Sequence, residues 1–112
     1  MNKIEEIERY FEHALPDSYR QFLVGHSAEL EGNAYLYLPS ELLERNECYE
    51  TKEYARGYVC IGSNGGGMAF IIDLSSSDPE VFQVGHGSMD PDDKEFVYAS
   101  FSLWQQSGFN YE

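Results

Sequence analysis

The sequence predicts an α+β fold: one domain, 1–112, with a central antiparallel sheet and hairpin meander, packed by N-terminal helices and a C-terminal helix. Three observations predict it. Apolar residues recur at helical spacing near the N-terminus, short β-rich runs separated by glycine turns fill the middle, and helical spacing returns near the end. At 112 residues the chain has the length of one domain, too short for two independent cores. Its 42% hydrophobic and 15% aromatic content is enough to bury a core.

Residues 2–13 read as an amphipathic helix. Asn2 stands at its cap with Glu5 as capping-box partner, and Ile4, Ile7, Tyr10 and Phe11 form one apolar face. Glu5, Glu6 and Glu8 lie in its N-terminal half, where the helix dipole favours them. Pro16 interrupts the pattern, and Asp17 or Ser18 opens a second helix carrying Tyr19, Phe22 and Leu23, stopped by Gly25. Ala34–Leu38 is a short strand ended by Pro39-Ser40. Ser40 caps a third helix through Leu42 and Leu43 and on toward Tyr54.

Tyr58–Ile61 and Met68–Leu74 are strands joined across Gly62–Gly67, and Asn64-Gly65 between two apolar runs signals a hairpin. Ser75–Pro79 turns into a third strand of the meander, Glu80–Val84. Gly85–Lys94 is polar and irregular. Phe96–Gln106 reads as a closing helix with Gly108 behind it.

Charge decides which partners are compatible. Seven basic against twenty acidic residues give a net charge of −13. Nucleic acid and anionic membranes both require Lys and Arg to neutralise phosphate, so neither is an expected partner. A basic protein surface is attracted, and its encounter is accelerated. Solubility alone is met by a net charge of magnitude about 2–8, so the excess points to a basic partner. No leader is expected at Met1-Asn2-Lys3-Ile4-Glu5-Glu6, and the apolar run Met68–Ile72 is too short to span a bilayer. Cys48 and Cys60 read as thiols rather than a disulfide, which places the chain in the cytoplasm.

Motifs for chemistry are incomplete. Gly62–Gly67 is followed by Met68-Ala69 and a strand, where a phosphate loop needs Lys followed by Ser or Thr and then a helix. Gly85-His86-Gly87 lacks the third glycine of a dinucleotide fingerprint. Asp90-Pro-Asp92-Asp93-Lys-Glu95 puts Lys94 and Glu95 where a calcium loop needs an oxygen ligand and glycine. His13, His26 and His86 are isolated from one another, and Cys60 sits in an apolar run that makes a thiol inert. No catalytic residue, metal ligand or cofactor is therefore assigned.

Three stretches together resemble the SUKH superfamily, the fold of fungal Smi/Knr cell-wall regulators and many bacterial immunity proteins. Leu15-Pro16-Asp17-Ser18-Tyr19-Arg20-Gln21-Phe22-Leu23 is similar to the family's leucine–proline–x–x–tyrosine–x–x–phenylalanine–leucine opening. Ile61–Gly67 running to Ile72-Asp73-Leu74 resembles its glycine hairpin ending in aspartate, and Ala99–Trp104 its closing serine–phenylalanine helix. The chain departs from the family after Leu23, with Gly25-His26-Ser27 where an asparagine–glycine–glycine turn is frequent. The resemblance implies a non-enzymatic protein that neutralises a cognate toxin, often a nuclease, by direct binding. A regulatory or scaffolding interaction module is the alternative it implies.

The expected contact surface is acidic. Glu41, Glu44, Glu47, Glu50 and Glu53 recur every third residue and wind a ridge of charge around the third helix. Tyr49 and Tyr54 stand beside it as aromatic anchors, and Asp90, Asp92 and Asp93 form a second patch.

Overall fold

The computed structural model describes residues 3–26 and 34–110. Among these, five α-helices pack on a five-stranded antiparallel sheet, whose strands lie side by side in chain order. The fold class is the α+β arrangement the sequence predicts.

Helix α1 (Lys3–Phe11) buries Ile4, Ile7 and Phe11 and leaves Glu5 toward water. The predicted cap at Asn2 lies outside the described residues. The helix ends in a complete double hydrogen-bonded C-terminal turn: Glu12 N–H reaches the Arg9 carbonyl at 3.2 Å and His13 N–H the Glu8 carbonyl at 3.1 Å. That turn requires a left-handed residue, and Glu12 supplies it with φ of 56°. Helix α2 (Asp17–Val24) begins behind Pro16, as expected, and buries Tyr19 and Leu23. Glu8 ties the two together, accepting from Leu15 N–H at 2.8 Å and facing Arg20 Nε at 3.5 Å.

Strand β1 (Tyr35–Leu36) is shorter than the predicted 34–38. Only these two residues pair in register with β2, although the chain stays extended as far as Leu38, as a residue before proline does. Helix α3 (Pro39–Cys48) starts one residue before Ser40, so Ser40 is not its cap. Pro39 pre-sets the first helical φ, and Glu41 reaches back from the first turn to accept the N–H of the cap residue Leu38 at 2.9 Å. Nor does the helix continue to Tyr54. It stops at Tyr49, Glu50 takes a left-handed φ of 54°, and a separate turn α4 (Thr51–Tyr54) follows with Thr51 and Ala55 buried.

The hairpin of β2 (Tyr58–Ser63) and β3 (Met68–Asp73) is closed by Asn64. Its side-chain oxygen accepts from Gly66 N–H at 2.8 Å while Gly65 takes φ of 81°. A Cβ at Gly62 would run into the Tyr35 carbonyl, so glycine there lets β1 close on β2. Where β1 ends, α3 completes the edge of β2. The fully buried Asn46 accepts from Cys60 N–H and donates to the Cys60 carbonyl, both at 2.9 Å. It does for one residue what a neighbouring strand does along its length.

Strand β4 (Val81–Gly85) continues the meander. The predicted closing helix over 96–106 is corrected in its first half: Glu95–Tyr98 is a fifth strand, β5, paired with β4, and helix α5 spans only Phe101–Gln106. Phe96, Val97 and Tyr98 carry β-favouring side chains. Ser100 then caps α5 by accepting Leu103 N–H at 3.2 Å, and Asp78 holds Ser102 N–H at 2.9 Å. Trp104 of α5 is fully buried and meets Phe70 of β3 ring to ring at 5.0 Å.

Candidate functional site

The acidic ridge does not survive folding as one stripe. Glu41 turns inward, accepting the Tyr35 hydroxyl at 2.6 Å along with the Leu38 N–H, and serves the architecture of β1 and α3. Glu44 is exposed but stands apart from the others. Glu47, Glu50 and Glu53 instead edge an open groove of about 840 Å³, bounded by the end of α1, the α3–α4 junction and the end of β3. Glu12 and Asp73 join them from α1 and β3, and Tyr10 lies at the base. Five carboxylates thus face two cations, Lys52 and Arg56, across one depression.

Two of those carboxylates sit on unusual backbone. Glu12 and Glu50 are both left-handed, at φ of 56° and 54°. Each closes a helix at the position where glycine is preferred, because a side chain there costs roughly 1–2 kcal/mol. Among the described residues four non-glycines take this conformation, Glu12, Glu50, Met89 and Phe109, and the two glutamates line the same groove.

The electrostatics follow from the geometry. Partial burial raises the Tyr10 phenol above its ordinary pKa, and the charges of Glu47 and Glu50 raise it further, so it stays a neutral hydroxyl. Lys52 Nζ lies 5.2 Å above the Tyr10 ring and 3.9 Å from the Glu12 carboxylate. Both ends of that ion pair are solvated, so it is worth little and a competing cation can displace it. The groove already demonstrates, with its own lysine, how it receives an ammonium group: over a tyrosine face, beside a carboxylate.

The predicted anchors Tyr49 and Tyr54 lie together, apart from the groove. Tyr49 packs on His86 with ring centroids 4.6 Å apart, and exposed Tyr54 lines a neighbouring depression of about 450 Å³ with Cys48, Glu50 and His86. Glu50 edges both depressions. Burial lowers the pKa of His86 below its ordinary value, which favours the neutral ring. Asp90, Asp92 and Asp93 lie in a 3₁₀ turn far along the chain, with Asp90 accepting Asp92 N–H at 3.0 Å, and they line neither depression. Sequence reasoning missed Tyr10, Glu12 and Asp73. The one local signal was a glutamate where the end of α1 called for glycine.

His86 Nε2 lies 3.2 Å from Ser63 Oγ, and the two cysteines differ in access. Cys60 is buried, its thiol donates to the Gly62 carbonyl at 3.7 Å, and burial pushes its pKa up to about 12. Cys48 is a free, exposed thiol. Among the described residues no three His, Cys, Asp or Glu side chains converge as a metal site. No helix among them is long and apolar enough to cross a membrane.

No curated protein matches the chain. Residues 2–107, however, match the model of the SMI1 / KNR4 family (SUKH-1). The match spans all three resembling stretches, from the Leu15-Pro16 opening to the Phe101–Trp104 helix, and the chain belongs to the SMI1 / KNR4 family.

Proposed function

We propose that this protein is a non-enzymatic immunity protein that neutralises a cognate toxin by holding it directly, and that the toxin presents a basic surface, as a nuclease does. The observation that carries this reading is the groove: five carboxylates from the end of α1, the α3–α4 junction and the end of β3 around the half-buried Tyr10, two of them on backbone that disfavours any side chain. Glu47, Glu50 and Glu53 are the expected contacts from the predicted ridge, and Glu12, Asp73 and Tyr10 complete them. Net charge of −13 draws a cationic partner from a distance. The groove supplies what long-range attraction cannot, a fixed position for an inserted Lys or Arg.

The direct test is co-expression with the product of the adjacent gene in a host that this product kills. Growth restored by the chain, and complex recovered on purification, support the reading. Toxicity undiminished at matched expression contradicts it. A regulatory or scaffolding role, also compatible with the family, predicts a stable complex with a host protein and no rescue.

A further inference from the structure

The sheet ends in a strand that is open on one side. β5 pairs with β4 and with no other strand among the described residues, so every second N–H and carbonyl along it points away from the sheet. Proteins commonly guard such an edge with an outward lysine. Here Lys94 folds back instead, with Nζ 5.0 Å above the Phe82 ring and 3.4 Å from the Pro91 carbonyl. Next to it Phe96 is 62% exposed, paired with Phe82 at a ring separation of 6.4 Å.

The surroundings specify what the edge can accept. Asp90, Asp92 and Asp93 precede the strand and Glu95 opens it, while Lys94 is the one cation between positions 90 and 98. On the sheet face that Phe82 and Lys94 share, a depression of about 430 Å³ is lined by three further carboxylates, Asp73, Asp78 and Glu80. A second copy of this chain would bring the same carboxylates against themselves. A cationic strand meets none of that repulsion.

We infer that β5 is a docking edge for an extended, Lys- or Arg-bearing segment of the partner protein, which adds to the sheet as a sixth strand. Its backbone pairs with the outward groups of β5. Its side chains alternate between the sheet faces, apolar residues covering Phe96 on one and basic residues meeting Glu95 on the other, while its net positive charge complements the carboxylates of the depression. This deepens the proposed function by giving the toxin a second point of attachment, and it rests on that reading for the partner's charge.

The experiment uses the full chain, isotope-labelled, and a monomeric peptide of about eight alternating Lys and Val residues, the length of an ordinary strand. The expected result is a shift and slowed exchange of the Phe96–Tyr98 amides. A copy of the peptide with alternate backbone nitrogens methylated keeps its charge and side chains but cannot pair, and it should not bind. Phe96→Lys, a surface change that leaves melting unaltered, should weaken peptide binding about tenfold. Equal binding by the methylated peptide overturns the inference, as does a complete lack of binding. Shifts confined to Tyr10, Glu47 and Glu50 also overturn it, while leaving the groove and the proposed function standing. Concentration-dependent β5 shifts without peptide assign the edge to self-association and overturn it too.

Discussion

The two flanks of the molecule are made of different materials. Around α2 and α5, Tyr19, Phe22, Phe101, Trp104 and Phe109 interlock with ring separations between 5.0 and 6.4 Å. Around the end of α1 and the α3–α4 junction, carboxylates crowd an open groove, and two glutamates hold left-handed backbone. The first flank is built of interactions that favour folding: apolar area removed from water and aromatic edges on faces. The second collects like charge, which disfavours it; left-handed backbone occurs on both flanks, at Glu12 and Glu50 here and at Phe109 among the aromatic rings. Stability resides on one side, and on the proposed reading some of it is given up on the other for a surface that attracts cations. Substitutions on the two flanks should therefore change stability in opposite directions.

The largest effect belongs to the aromatic flank. Trp104→Ala removes the ring that meets Phe70 and Phe109, each at 5.0 Å, and strands the hydrogen bond from its Nε1 to the Asn110 carbonyl. Urea unfolding should show a loss of about 3–5 kcal/mol. The fraction still folded should bind the proposed toxin at the wild-type rate. A loss of binding beyond the loss of folded protein would show that the flanks are not separate.

Asn46→Leu should follow, at about 2–3 kcal/mol, because the Cys60 N–H and carbonyl are left buried and unpaired. A cost below 1 kcal/mol would mean that α3 does not complete the β2 edge as its geometry indicates.

The smallest effects carry the opposite sign. Glu12→Gly and Glu50→Gly each relieve left-handed strain and remove one charge from the groove, so each should raise stability by about 1 kcal/mol while weakening toxin binding. If either variant is both less stable and bound as tightly, the strained glutamates belong to the scaffold rather than to the site.

The same division explains what could be read from the sequence. The helices at 3–11 and 17–24 and the glycine hairpin were legible because spacing, Pro16 and Asn64-Gly65 act over a few residues. β5 was not, since Phe96, Ala99 and Leu103 also fit a helical period and the strand exists only by pairing with distant β4. The break at Glu50 was hidden for a related reason. A left-handed residue announces itself in sequence when it is glycine, and here it is glutamate. The groove was half legible: Glu47, Glu50 and Glu53 stood out by their spacing, but Tyr10 and Asp73 reach them only through the tertiary fold. Glu41 shows the converse, a residue of the predicted ridge that local hydrogen bonds take out of it.

Kinetics of toxin association give the most direct test of the groove as the attracting surface. Glu47→Gln, Glu50→Gln and Glu53→Gln, made together, keep side-chain size and remove three of its five carboxylate charges. Association measured between low and physiological salt should slow by roughly tenfold at low salt and lose much of its salt dependence, with little change in melting temperature. An unchanged rate and an unchanged salt slope would contradict the assignment and return these glutamates to an ordinary solvated helix face.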